Sequence, residues 1–328
     1  MKRITEVSPT FIAIAFAVCM GSAGCNSNRP AAETKQTTPS TQPQAQQQNT
    51  SVSRQRQDAE RQVRPEVEKQ RNEQNQQAQS TLNQDAIAAI EQTRNAINAI
   101  ATGKNHEALS DIETATGKIN ILVARNPATA LIPVQVEVDV IDNAPRDEKT
   151  LKRISSDAES AVALRDYPTA RVLLDGLRSE IRERTYSLPL ATYPIALQNA
   201  ARSLDAGKAD DASNVLLTAL NTLVIVDQVT PIPLVLARAA VDTAQDKSKT
   251  DKNTAQTLLT TAGNELKLCS QLGYASHVPE YESLNGELDT LQKQLKGTTD
   301  TGSFFARLRS DMDKLLNKQS GQEHAQKS

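Results

Sequence analysis

The sequence predicts a mainly α fold: an irregular bundle of antiparallel helical hairpins carrying a small two-stranded β-ribbon. Three observations carry that expectation. Beyond Leu82, aliphatic residues recur at three- and four-residue steps over most of the chain, which places them on one face of a 3.6-residue helix. A helix–turn–helix unit recurs at an offset of 104 residues, with Gly103-Lys104 matched by Gly207-Lys208. One stretch breaks the helical rule. Val134, Val136, Val138 and Val140 alternate with Gln135, Glu137, Asp139 and Ile141, the period of a half-buried strand.

The chain has 328 residues with 37 Lys and Arg against 39 Asp and Glu. That balance argues against a nucleic-acid binder, which carries a basic excess. Aromatic residues are 3% of the chain and Trp is absent, so the core is aliphatic and few rings exist to stack bases or sugars.

Residues 1–24 read as a secretory signal. Lys2 and Arg3 precede an apolar run, Phe11 to Met20, too short to span a hydrocarbon core that needs about 20 apolar residues. Ser22-Ala23-Gly24-Cys25 resembles the cleavage box of bacterial lipoproteins, with Ser22 where that box more often has Leu. Cys25 is the candidate lipidation residue. The alternative is ordinary cleavage after Ala23. A lipidated chain is held to a membrane by its acyl chains alone. Asn26 rather than Asp resembles the sorting signal for the outer membrane, which places the protein in the periplasm. Cys19 belongs to the leader, leaving Cys25 and Cys269, too few for a disulfide framework. Cys269, between Leu268 and Leu272, reads as a small buried hydrophobe.

Residues 25–80 read as a disordered Gln-, Pro- and Thr-rich tether. Few apolar groups offset the entropy of ordering that backbone. The section from Ser53 to Gln79 carries alternating charge, as at Arg54, Arg56, Asp58, Glu60 and Arg61, which allows transient helix, interrupted at Pro65.

A helical domain is expected over 81–296. Leu82, Ala86, Ile90, Ile97 and Ile100 share a face up to Gly103. Asn105 is placed to cap the next helix, on which Leu109, Ile112, Ile119 and Val123 repeat the pattern to Pro127. The valine strand follows Pro133, is closed by Asp142-Asn143-Ala144-Pro145, and takes Thr185 to Leu190 as partner. A looser hairpin lies between, with Ile154, Ala158, Ala161 and Val162 before Arg165-Asp166-Tyr167-Pro168, then Ala170, Leu174, Leu177 and Ile181. Ala200, Leu204, Ala212, Leu216, Ala219 and Leu223 form the third. The plan is that of tetratricopeptide hairpins without their period or signature, so generic helix pairs are expected. Leu258, Ala262, Leu266 and Cys269 share a later face. Tyr281, Leu284, Leu288, Leu291 and Leu295 form a short heptad seam, expected to pack within its own domain. Residues 297–328 complete the chain as a helix, with Phe305, Leu308, Met312 and Leu315 on one face, and a polar tail.

Catalytic motifs are missing. Gly103-Lys104 lacks the flanking residues of a phosphate loop, and His106-Glu107 has Ser110 where a second zinc ligand belongs. The other histidines are His277 and His324. No enzyme activity, cofactor or metal is expected. Glu137 and Asp139 share one side of the valine strand with Asp142 just beyond. These three are the candidate pH-responsive residues, because close carboxylates raise one another's proton affinity. The plain reading is an exposed acidic strand face.

From Lys118 to Asp142, Lys-Ile-Asn-Ile-Leu-Val-Ala-Arg-Asn-Pro followed by Leu-Ile-Pro-Val-Gln-Val-Glu-Val-Asp-Val-Ile-Asp resembles the signature stretch of the YfdX family. The run from Thr230 to Ala240 and Gln271-Leu272-Gly273-Tyr274 are similar to its later blocks. The resemblance covers about Leu82 to Leu295. It implies an exported, mainly helical, oligomerising bacterial protein tied to acid and envelope stress, with chaperone-like or small-molecule-binding activity and no catalytic residues to carry over. The cysteine signal and the Gln-rich tether are unlike the family's simpler leader. The resulting expectation is a non-enzymatic periplasmic stress-response protein, a homo-oligomer tuned by acid pH. It binds unfolded client proteins or small hydrophobic molecules, touches the membrane only through its lipid anchor, and binds no nucleic acid. The alternative is a structural module that docks a specific cell-envelope partner.

Overall fold

The computed structural model describes residues 54–55, 57–275, 278–297 and 300–319. The leader, Cys25, His277 and His324 lie outside them. A helical run at 57–63 leads into α1 (Pro65–Ser80), α2 (Gln84–Ala101), α3 (Asn105–Arg125) and β1 (Leu131–Asp142). Then come α4 (Glu148–Ala163), α5 (Tyr167–Asp175), β2 (Ser179–Pro189), α6 (Tyr193–Asp205), α7 (Ala209–Asn221) and β3 (Val224–Pro231). Four helices close the chain: α8 (Ile232–Lys247), α9 (Lys252–Gln271), α10 (Glu280–Lys296) and α11 (Gly302–Gln319).

One unit is used three times: a helical hairpin followed by a strand, as α2–α3–β1, α4–α5–β2 and α6–α7–β3. Each hairpin turns at a single left-handed residue, Gly103 at φ 75°, Arg165 at φ 59° and Gly207 at φ 74°. The following amide reaches back to close each first helix: Lys104 N to Ala99 O at 2.9 Å, Asp166 N to Ala161 O at 2.8 Å, Lys208 N to Ser203 O at 2.8 Å. These are Schellman-type closures, so the looser middle copy is built like the other two. Asn105, expected as a cap, is instead the first residue of α3, and Lys104 in the cap position makes no side-chain cap.

The ribbon has three strands where two were expected. β2 is central and antiparallel to both neighbours, with Val140 opposite Ile181 on one side and Thr230 opposite Ile181 on the other. Leu223 continues the apolar face of α7, so Val224-Ile225-Val226 read as the tail of that helix. Only pairing with β2 gives this β-branched run its extended form. β2 also starts earlier than its expected edge. Ile181 is a strand residue, because α5 stops at Asp175 ahead of Gly176. In β1 a bulge falls between Pro133 and Gln135, on an edge strand where a proline lacking N–H is tolerated.

The tether expected over 25–80 gives way to helix over its last part. Ala59, Val63 and Val67 step by four and are buried, and Gln74 Nε2 donates to the buried Thr230 Oγ1 at 2.8 Å. Local pairs such as Lys69–Glu66 at 2.7 Å and Arg71–Glu68 at 2.9 Å line the outer face. The apolar content is low, but it is concentrated on the one stripe that meets β1, β2 and α8, and burial there offsets the entropy of ordering.

Two aliphatic cores result. The first joins the 57–80 segment, Val138, Val140 and Ile181 of the sheet, and α8 to α11, including the seam from Tyr281 to Leu295 and the Phe305–Leu315 face. The second joins α2, α3, α6 and α7 to Ile132, Val134 and Leu188. The β1 bulge separates the strand residues that serve each core. The α4–α5 hairpin contributes to neither.

Candidate functional site

Alternation along β1 puts Glu137 and Asp139 on the face away from α1. There the central strand presents arginines. Arg182 Nη2 donates to Asp139 Oδ2 at 2.7 Å, and Arg184 donates twice to Asp227 of β3, at 2.7 Å each. Glu137 accepts from Gln135 Nε2 at 2.9 Å and from the Tyr186 hydroxyl at 3.3 Å. Asp142, an odd number of residues from Asp139, falls on the other face. Its Oδ1 accepts from Ser179 Oγ at 2.6 Å and its Oδ2 from Arg64, just ahead of α1. Burial pushes the Asp142 carboxyl upward, but these two bonds outweigh it and hold its pKa below the ordinary value. The three expected carboxylates are therefore engaged one by one, each by its own donors. Among the described residues, no group of three or more His, Cys, Asp and Glu is placed to hold a metal. His106 is exposed at the start of α3.

A fourth carboxylate, Glu265, lies beyond Asp142. It sits on α9 among Leu258, Ala262, Leu266 and Cys269, and is 3% exposed. Arg146, in the loop after β1, donates to its Oε1 at 2.5 Å, while Oε2 is buried without a hydrogen-bond partner. Burial raises the Glu265 pKa to about 7, Arg146 opposes that rise, and the charges of Glu60 and Asp142 add to it. The sequence contains a signal for this residue: a single acid inside the apolar stripe of α9.

Glu265 lines a cavity of about 630 Å³ between the 57–68 stretch and the body. Val63 and Val67 form one wall, Val140 and Leu236 the other, with Glu60 and Arg146 also on its lining. A second polar cluster fixes the adjoining end of the sheet. Arg178 Nε and Nη2 donate to Glu180 Oε1 at 2.9 and 2.6 Å, and the Tyr274 hydroxyl donates to Glu180 Oε2 at 2.9 Å. The same hydroxyl accepts from Ser179 N at 3.0 Å, tying the turn after α9 to the first residue of β2. Cys269 is fully buried, and burial pushes its thiol pKa far up, so it is an inert core residue as its setting implies.

A different kind of surface lies on the α4–α5 hairpin. Leu164 is 80% exposed and Val172 73%, with Val162, Tyr167 and Leu174 also exposed. The edge strand β3 adds exposed Val224, Ile225 and Val226. No described helix is long and apolar enough to cross a membrane.

The sequence model of the YfdX family matches residues 89–229. This span runs from within α2 into β3, so it takes in nearly all of the three hairpin–strand units and leaves out α1 and α8 to α11. The solved crystal structure of Salmonella Typhi YfdX is similar to the chain with a TM-score of 0.32 and 14% identity, over 46% of this chain and 93% of that one. No curated protein matches the chain.

Proposed function

We propose, from the YfdX match and the apolar faces left without a partner, that this protein works by binding and not by catalysis. In this reading it is a stress-response protein of the periplasm, held to the outer membrane by a lipid on Cys25, that covers apolar segments of unfolding clients. The observation that carries the reading is the α4–α5 hairpin. Its own buried residues are few, essentially Leu151, Ala158, Ala161 and Ala170, while five larger apolar side chains face water. Large exposed apolar side chains gathered on one hairpin mark an interaction surface. The free edge of β3 offers backbone donors and acceptors to an extended segment. Acid tuning falls to Glu265, whose charge changes near neutrality.

The test is light scattering from an aggregating client at pH 7 and pH 5. Equimolar protein slows the rise, and the double variant Leu164→Ser, Val172→Ser loses most of that protection while keeping its helical circular dichroism. An unchanged scattering curve with the unaltered protein defeats the reading. Confinement of the patch to one projecting hairpin favours a second reading, a docking module. Capture of one stoichiometric envelope partner, with no general client effect, supports that alternative.

A further inference from the structure

We infer that the cavity beside Glu265 is a binding site for a small organic cation with an apolar body, its charged end placed at Glu265 and Glu60. The volume of about 630 Å³ suits a compact organic molecule. Val63, Val67, Val140 and Leu236 supply apolar walls from the 57–63 run, α1, β1 and α8. The charge pattern selects the head group. Each guanidinium on the lining is already engaged: Arg61 with Asp58 at 3.6 Å, Arg64 with Asp142, and Arg146 with Glu265 Oε1 at 2.5 Å. Glu68 is paired with Arg71 at 2.9 Å. Unmet demand remains on the acids. Glu60 has no ion pair or side-chain hydrogen bond among the described residues, and Glu265 Oε2 is buried without a donor. A buried acceptor left unmade is costly, and an ammonium supplies both the missing donor and the missing charge. An anion has to compete with Asp58, Asp142 and Glu265 for these guanidinium groups, and a neutral alcohol leaves the Glu60 charge unpaired.

The site draws on parts outside the YfdX match. Glu60, Val63 and Val67 precede residue 89, and Leu236 and Glu265 follow residue 229. It does not depend on client binding, which rests on the α4–α5 hairpin.

The groups facing Glu265 are Arg146 from the loop after β1, Glu60 from the 57–63 run, Asp142 from β1 and Cys269 one turn further along α9. A cation bound at Glu265 therefore displaces a proton whenever that carboxyl is partly protonated. The experiment is isothermal titration of the full chain with octylammonium, octanoate and octanol, at pH 8 and at pH 6.5 in two buffers of different ionisation enthalpy. Octylammonium binds one to one, at least about tenfold tighter than octanoate or octanol, the scale of one charge-assisted hydrogen bond. At pH 6.5 its binding releases a proton. Glu265→Gln weakens it about tenfold and abolishes that release, and Glu60→Gln, which changes an exposed side chain the fold does not need, weakens it about twofold. The inference is overturned if octylammonium fails to bind, if octanoate or octanol binds as tightly, or if both variants leave affinity and proton release unchanged. Client protection measured without amine at a single pH rests on the α4–α5 hairpin, so failure of amine binding leaves that reading standing and loss of client protection leaves this one standing.

Discussion

Glu265 and Asp142 sit at the same end of the sheet and titrate with opposite consequences for stability. Glu265 has a folded pKa raised to about 7 from 4.5. The folded state thus holds a proton that the unfolded chain gives up, so this contribution is fully present below pH 4.5 and is lost as pH rises through about 7. The difference corresponds to about 3 kcal/mol. Glu265→Gln, which cannot ionise, is expected to raise stability by that order at pH 8 and to change little at pH 4.5. Urea unfolding at the two pH values checks it, and equal effects at both would refute the assignment. Asp142 runs the other way. Its folded pKa is lowered, so its pairing with Ser179 and Arg64 stabilises above pH 3.8 and is lost as pH falls through the folded value. Asp142→Asn is expected to lower the melting temperature at pH 7, with an effect that shrinks as acidification protonates the folded-state carboxyl. Between about pH 7 and 4.5 the body therefore becomes firmer on acidification, because Glu265 gains before Asp142 loses. The sequence named Asp142 from its neighbours in β1. Its actual partners arrive from residue 64 and residue 179, separations that local pattern does not encode. Glu265 was passed over because one acid in an apolar stripe resembles the edge of that stripe.

The hairpins were legible as elements because their periodicity is strong and their turns carry glycine. The middle hairpin turns instead at Arg165, a non-glycine residue at φ 59°. A left-handed conformation costs an L-residue about 1 kcal/mol. Arg165→Gly is expected to stabilise by a few tenths to about 1 kcal/mol, less than the full strain because glycine also loosens the unfolded chain. Thermal unfolding measures it, and a clear loss would show that the Arg165 side chain contributes more than its backbone costs. The strand form of β3 and the stable packing of α1, expected as only transient helix, escape the sequence for one shared reason: both owe their form to tertiary contact. β3 follows a helix without a turn signal and becomes a strand only on β2. α1 is too polar to hold a helix alone, yet Val67, with Ala59 and Val63 just ahead of it, joins the core beside the sheet. Its exposed counterpart is the free edge of β3. Ile225→Lys there is expected to leave the melting temperature within about 1 °C while reducing self-association at high concentration, since a lysine on an edge strand blocks further pairing. Sedimentation velocity decides the point, and unchanged association would show that β3 is not a sticky surface.

At the scale of the molecule, the fold class read from the sequence, mainly helical with a small antiparallel sheet, is the architecture found. Two things escaped it: the division into two cores and the dependence of the sheet on a cover from the N-terminal side. The bulge at Pro133 is what lets one strand serve both cores. Cutting the chain at residue 81 would uncover Val138 and Val140, and the shortened protein is expected to bind a hydrophobic dye and to melt earlier than the longer chain. The same cover has a consequence for how the protein is made. Gln74 meets Thr230 across 156 residues of sequence, so α1 finds its seat only after β3 has emerged from the ribosome. Until then Val63, Val67 and the bare strand face wait in solution, a delay of many seconds at ordinary translation rates of about 5–20 residues per second. The nascent chain is thus most open to aggregation during that interval.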